Sequence, residues 1–181
     1  MRMNAHPTLG SHSLLVGHGR AMPNYKRPKV PGATVFFTVT LAARGSSLLV
    51  DQVAALRQAV RATRQDHPFH IDAWVVLPDH LHAVWTLPEG DCDFATRWSV
   101  IKARFSRQLP EGHKRSSHVK RRERGIWQRR FWEHHIRGAR DYAAAVSHCH
   151  MNPVKHGFVE RPQDWLYSSV HREIHSGRWA A

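Results

Sequence analysis

Residues 71–87 read IDAWVVLPDHLHAVWTL, and their pattern predicts the centre of the fold. Two runs of apolar residues flank the turn pair Pro78-Asp79, a pattern that predicts two antiparallel strands joined in a tight hairpin. Successive residues of a strand face opposite ways, so His80 and His82 project from the same face of the second strand. The hairpin therefore presents two imidazoles side by side.

The remaining sequence predicts helices and two further strands around this hairpin. Pro153 is expected to interrupt the last helix or to begin a new turn. In chain order, the predicted elements are a strand over 34–41, a helix over 51–65, strands over 71–77 and 80–87, a helix over 93–110, a strand over 131–136, and a helix over 141–152 capped by Asp141. This order indicates an α/β protein of the α+β type.

The chain is strongly basic. Lys and Arg number 27 against 14 Asp and Glu, which gives a net charge of +13 and an isoelectric point near 11.0. Such a charge favours a polyanionic partner, and no apolar run reaches the roughly 20 residues of a membrane-spanning helix. The two cysteines, Cys92 and Cys149, are far apart, which argues against a disulfide framework and is typical of the cytoplasm. We therefore expect a cytoplasmic protein that binds nucleic acid and no membrane.

The length of 181 residues predicts one domain. Residues 1–21 mix Gly, Ser, His and Pro, so we expect a disordered extension there, with Met22 as an alternative start. The domain is predicted to span 22–175 and to include a basic loop at 111–125, and 176–181 form a short tail.

The basic loop and the sequence after it combine positive charge with aromatic rings, the combination that tracks and stacks on a nucleic-acid strand. A solvated loop followed by a core strand is the alternative interpretation. The residues predicted to bind DNA are Lys114, Arg115, Lys120, Arg121, Arg122, Arg124, Trp127, Arg129 and Arg130.

A divalent metal site is the second prediction. His80 and His82 would supply two ligands, and Asn152 a hard side-chain oxygen suited to Mg²⁺ or Mn²⁺. His148 shares a helix face with Asn152 because the two are four residues apart. The alternatives are two exposed strand histidines and, around Asn152, an ordinary helix end.

Five separated motifs occur in a characteristic order. The chain resembles the REP-associated tyrosine transposases over residues 23–172. The motifs are WVVLPDHLH at 74–82, WTLPEG at 85–90, IWQRRFWEH at 126–134, NPVKHG at 152–157, and DW at 164–165 before the serines at 168–169. The resemblance implies an IS200-like domain of the HUH single-strand nuclease class, with a ferredoxin-like antiparallel sheet and helices on one face.

The same resemblance implies the activity and its site. It implies sequence-specific binding of single-stranded DNA and metal-dependent strand cleavage and transfer at hairpins from repetitive extragenic palindromes. In that family a tyrosine four residues before the helix asparagine attacks the phosphate, and this chain has His148 there. Three outcomes stay open for His148: a metal ligand or activator of water, a phosphohistidine nucleophile, or a catalytically impaired protein that still binds DNA hairpins.

The amino-acid sequence leaves two questions about partners open. A basic protein associated with RNA is a remoter alternative, because positive charge does not distinguish the two sugars. The protein is expected to be a monomer or a homodimer.

Overall fold

The computed structural model describes residues 28–109 and 124–179. The predicted extension at 1–21 and all but two residues of the loop at 111–125 lie outside them. The strands are β1 (Thr34–Thr40), β2 (His70–Val76), β3 (His80–Thr86) and β4 (Trp132–His135), and the helices are α1 (Leu48–Asp51), α2 (Val53–Asp66), α3 (Phe94–Arg107), α4 (Ala139–Lys155) and α5 (Val170–His175).

The four strands form one antiparallel sheet in the order β2-β3-β1-β4. The predicted hairpin is present, since the amide of Leu77 donates to the carbonyl of His80 at 2.9 Å and closes the turn between β2 and β3. The register places His82 between Val75 of β2 and Thr38 of β1. Both sides of His82 are therefore covered by neighbouring strands.

Helices cover both faces of the sheet, and this corrects the expectation that they lie on one face. The apolar residues of α2 and α3 join Phe37 in the larger core. Phe36 points the other way and forms a second core with Ala145 and Cys149 of α4. Both phenylalanines are almost fully buried, at 1% and 0% exposure, so β1 needs cover on each side.

Helix α4 differs from its prediction at both ends. It begins after Gly138, whose φ of 124° suits glycine, and Asp141 lies inside the first turn, where its carboxylate accepts from the amide of Arg137 at 2.9 Å. Asp141 is therefore not the cap. Pro153 does not interrupt the helix, which continues to Lys155, because helical hydrogen bonding resumes after the proline: the amide of His156 donates to the carbonyl of Asn152 at 3.0 Å.

The C-terminal segment packs on the free edge of β2, as its apolar residues predict. The amide of Val76 donates to the carbonyl of Tyr167 at 2.9 Å, and the amide of Ser169 donates to the carbonyl of Trp74 at 2.7 Å. These bonds satisfy backbone groups that an edge strand would otherwise expose. Among the described residues, every helix is too short or too polar for a membrane crossing.

Candidate functional site

His80 and His82 meet on the α4 side of β3, as strand alternation predicts. Their ring centroids are 5.1 Å apart, and the two residues are 8% and 6% exposed. The ring of His82 stacks on Phe36 of the second core, 5.4 Å away. The two histidines are therefore mostly buried, at the boundary between core and solvent. The alternative interpretation, two exposed strand histidines, is wrong.

In each of these two imidazoles, Nδ1 has a hydrogen-bond partner within the protein. Nδ1 of His80 lies 2.7 Å from Oδ1 of Asp79, and Nδ1 of His82 lies 2.9 Å from Oγ1 of Thr38. In the tautomers with the proton on Nδ1, both rings donate to these oxygens and carry a lone pair on Nε2. Within the described residues neither Nε2 has a hydrogen-bond partner, so both are available to a ligand.

Helix α4 contributes two further side chains next to the strand histidines, those of Asn152 and His148. The ring of His148 lies 4.9 Å from that of His82, and Nδ2 of Asn152 lies 3.1 Å from Nε2 of His148. Asn152 is 3% exposed, and its Oδ1 is buried without a hydrogen-bond partner in the described part of the chain. A buried carbonyl oxygen without a partner is costly unless a ligand satisfies it.

His80, His82 and His148 form a histidine cluster. His156 is a fourth imidazole beside it, which was not predicted from the sequence. It follows α4, and its ring lies 5.3 Å from that of His80. The available signal was its spacing of four residues from Asn152, which continues the helix face of His148. The assumption that Pro153 interrupts the helix concealed that continuity.

Burial keeps the imidazoles of the cluster neutral. It lowers the pKa of His148 to about 4, with the charge of Lys155 acting in the same direction. Burial also lowers the pKa of His82 well below its ordinary value, and that of His80 to a smaller extent because Asp79 opposes the shift. The neutral imidazole is the form that binds a metal ion.

Burial disfavours the charge of Asp79, but hydrogen bonds from the amide of Gly45 and from His80 outweigh that effect. The pKa of Asp79 is therefore lower than usual, and it is a carboxylate at neutral pH. A carboxylate that orients a histidine is the usual outer partner of a metal ligand.

These residues fit a divalent cation through two imidazoles and one amide oxygen. Among the described residues, no three or more His, Cys, Asp and Glu side chains form a group that could hold a metal ion. Beside the two histidines, the partnerless Oδ1 of Asn152 has the chemistry of a third ligand. Two nitrogens and a hard oxygen suit Mn²⁺ well and Mg²⁺ less strongly.

The structure describes four of the nine residues predicted to bind DNA. Arg129 and Arg130 are exposed before β4, and Arg124 donates through Nη2 to the carbonyl of Leu109 at 2.5 Å. Trp127 is half-buried, with its ring 5.3 Å from Phe105 of α3, so it packs on the core, an arrangement that does not favour base stacking. Lys114, Arg115, Lys120, Arg121 and Arg122 lie outside the described residues.

Both tyrosines of the described residues make their contacts away from the histidine pair. The hydroxyl of Tyr142 lies 3.1 Å from Oδ1 of Asp72, and burial raises the pKa of Tyr142. Tyr167 packs against the larger core, on the face of the sheet opposite His82. His148 is therefore the side chain at the position where the resemblance expects the nucleophile.

Comparison with known proteins identifies the family. A REP-associated tyrosine transposase of Escherichia coli strain K12 is 46% identical over 156 residues, which cover 86% of this chain and 87% of that protein. The chain belongs to the REP-associated tyrosine transposases. No protein-family model matches the chain. A Haemophilus influenzae Rd protein named for the same family is 44% identical over 155 residues, covering 84% of this chain and 88% of that protein.

A solved REP-associated tyrosine transposase has the same fold. That structure, of a protein bound to a REP hairpin, superposes with a TM-score of 0.76 at 44% identity and covers 88% of this chain and 92% of its own. The resemblance drawn from the five motifs and the antiparallel α/β fold are both confirmed. In this chain, His148 lies beside the histidine pair, with its ring 4.9 Å from that of His82.

Proposed function

We propose that this protein is a divalent-metal-dependent nuclease that cleaves single-stranded DNA at palindromic hairpins of the REP type. The observation that supports the proposal is a set of neutral imidazoles, His80 and His82, each held by its Nδ1, beside His148, whose Nε2 lies 3.1 Å from the amide nitrogen of Asn152, while the buried Oδ1 of Asn152 has no partner within the described residues. The two strand imidazoles and this Oδ1 are the donors that a catalytic cation with open positions requires. The family membership supplies the substrate class.

The metal, when bound, would polarise a phosphate oxygen and orient the leaving group. His80, His82 and Asn152 would hold it, and Asp79 and Thr38 would fix the directions of the two imidazoles. His148 has a positioning role in this arrangement. Its Nε2 accepts from Nδ2 of Asn152, which fixes the orientation of the amide and leaves Oδ1 as the atom that would bind the metal.

The same hydrogen bond argues against one of the three outcomes for His148, the phosphohistidine nucleophile. An imidazole nucleophile attacks through a free lone pair, and that of Nε2 is engaged by Asn152. We therefore infer hydrolysis: water attacks phosphorus, the phosphorus–oxygen bond to one deoxyribose breaks, and the leaving oxygen takes up a proton. A covalent phosphohistidine is disfavoured, and strand transfer through a protein-bound intermediate is not proposed for the wild-type chain.

The test is cleavage of a labelled hairpin oligonucleotide with a single-stranded flank, with and without Mn²⁺. We expect Mn²⁺-dependent cleavage that is lost in His80→Ala and in His82→Ala, with two free DNA ends and no covalent adduct. A matched control is His175→Ala, an exposed histidine of α5. Cleavage that persists in both metal-site variants, or an adduct with the wild-type chain, would refute the proposal.

A hairpin-binding protein without cleavage is the second candidate function. The observation in its favour is that Tyr142 hydrogen-bonds to Asp72 and Tyr167 lies on the other face of the sheet. The cleavage experiment separates the two functions: hairpin binding with no Mn²⁺-dependent cleavage would establish the second.

The proposed partner is single-stranded DNA with a palindromic hairpin, bound by a monomer or a homodimer in the cytoplasm. The 44% identity to a protein bound to a REP hairpin and the charge of +13 support this partner. An RNA hairpin of the same sequence is the appropriate competitor. Equal competition by RNA would contradict a DNA-specific function.

A further inference from the structure

A trough lies between α2, β2 and the C-terminal segment, on the sheet face opposite the histidines. Its volume is about 270 Å³, and its floor is apolar, with Leu56 and Val60 from α2 and Trp74 from β2. Tyr167 closes one side. The candidate site does not use this trough.

Three arginines of α2 line the same trough, at Arg57, Arg61 and Arg64. Spacings of four and three residues place them on one helix face. Arg64 donates to the carbonyl of Phe69 at 3.0 Å, whereas Arg57 and Arg61 are exposed and have no hydrogen bond or ion pair within the described residues. An apolar floor beside uncompensated cations fits a ligand that is flat and anionic.

A row of aromatic rings connects this trough with the histidine cluster around the edge of β2. His156, which adjoins His80, stacks on Phe158 at 5.9 Å, and Phe158 stacks on Trp165 at 5.3 Å. Trp165 in turn meets Tyr167 of the trough edge-on at 5.5 Å. Phe158 is 45% exposed, although an apolar ring of this size is usually buried.

We propose that the aromatic row and the arginine-lined trough bind unpaired nucleotides of the DNA strand that passes the histidine cluster. Bases stack on Phe158 and Trp165, one base enters the trough, and Arg57 and Arg61 contact phosphates. Flat faces in series with cations along them are the requirements of single-strand binding. The inference rests on the proposed function for its DNA partner and adds a second contact surface.

The experiment measures hairpin affinity against salt for the full chain. Two hairpins are compared, one without an extension and one with eight unpaired thymidines, placed on the 5′ or the 3′ side. For the extended hairpin, the double variant Arg57→Ala/Arg61→Ala should lower the slope of log affinity against log salt by about 1.4, or about 0.7 for each lost phosphate contact. Phe158→Ala should weaken its binding by about fivefold to a hundredfold.

The hairpin without an extension and a matched double variant are the controls. Arg107→Ala/Arg140→Ala removes the same charge at exposed positions outside the trough, and it should affect both hairpins equally. The inference is overturned if the trough variants weaken both hairpins equally, or if they change neither. Failure of the proposed nuclease function gives a different result, because cleavage is lost while the dependence of affinity on the extension persists.

Discussion

At the residue scale, the proposed metal site depends on side chains that do not bind the metal but orient those that would. Asp79 holds Nδ1 of His80 and also accepts from the amide of Gly45 at 2.8 Å. Arg44 also pairs with this carboxylate, through Nε at 3.2 Å from Oδ2. Because the amide and the guanidinium both hold the carboxylate, the direction of the His80 ring is fixed too. Such an outer partner raises the basicity of the imidazole and removes the entropy cost of orienting it.

Asp79→Asn should therefore weaken Mn²⁺ binding by about 10- to 100-fold while leaving the fold intact. The amide keeps an oxygen for Gly45 but loses the negative charge beside His80. The measurement is a calorimetric titration with Mn²⁺, with Asp66→Asn as control, since Asp66 pairs with Arg104 on the surface. Equal affinities for wild type and Asp79→Asn would contradict the orienting role.

His148→Tyr should restore a covalent intermediate. A phenolic oxygen at this position would stand where the resemblance expects the nucleophile, and unlike the imidazole it forms a stable phosphodiester-type bond. Incubation with hairpin DNA and Mn²⁺ followed by denaturing electrophoresis should show a protein–DNA adduct with the variant alone. Absence of the adduct while cleavage persists would show that position 148 does not face the phosphate.

Short-range geometry decides which of the proposed ligand residues lie side by side. The pairing of His80 with His82 follows from strand alternation, and that of His148 with Asn152 from helical spacing. The meeting of the two pairs could not be derived from the residues alone, because it depends on which sheet face α4 covers and in which register. The packing of Trp127 on Phe105 was missed for the same reason.

At the element scale, α4 is a link between the site and the C-terminal segment. His150, 0% exposed, lies on the helix next to the site residues, and its Nε2 is 3.1 Å from Oγ of Ser169. Its ring also lies 5.0 Å from that of Trp179. The C-terminal segment is thereby tied to α4 as well as to the edge of β2.

This link should make the protein sensitive to acid. Burial lowers the pKa of His150 from 6.5 to about 4, so between these values the unfolded chain binds more protons than the folded one. The free energy of unfolding is then highest above pH 6.5 and falls as the pH decreases toward 4, by up to about 1.4 kcal/mol per pH unit for this residue.

Urea unfolding across that pH range tests the prediction. His150→Gln should lower stability near neutral pH and should make the dependence on pH shallower. His175→Gln, at an exposed position of α5, serves as control and should leave the dependence unchanged. If the stability of His150→Gln depends on pH as that of the wild type does, groups other than His150 cause the dependence.

The order of strands and helices could be predicted because apolar periodicity is local, yet their packing could not. Phe36 and Phe37 are both apolar, so alternation gives β1 no single inner face. A strand with two apolar faces is compatible with helices on both sides. The expectation of one covered face came from the resemblance, and the structure corrected it.

At the scale of the whole molecule, charge governs the encounter with DNA. The net charge of +13 attracts a polyanion, and the residues at 111–125 carry many of the cations. Arg121→Ala/Arg122→Ala should lower the slope of log affinity against log salt by about 1.4 for single-stranded DNA. Fluorescence anisotropy at several salt concentrations measures this slope. An unchanged slope would show that the two arginines do not contact the DNA.

The central claim is that His80, His82 and Asn152 share one divalent cation. The most direct measurement is Mn²⁺ binding followed by electron paramagnetic resonance, which reports both the stoichiometry and nitrogen ligands on the metal. We expect one ion per chain with two imidazole nitrogens as ligands, and weaker binding in Asn152→Ala with the nitrogen signals retained. Binding that is unchanged in Asn152→Ala, or a bound ion without imidazole nitrogens, would contradict it.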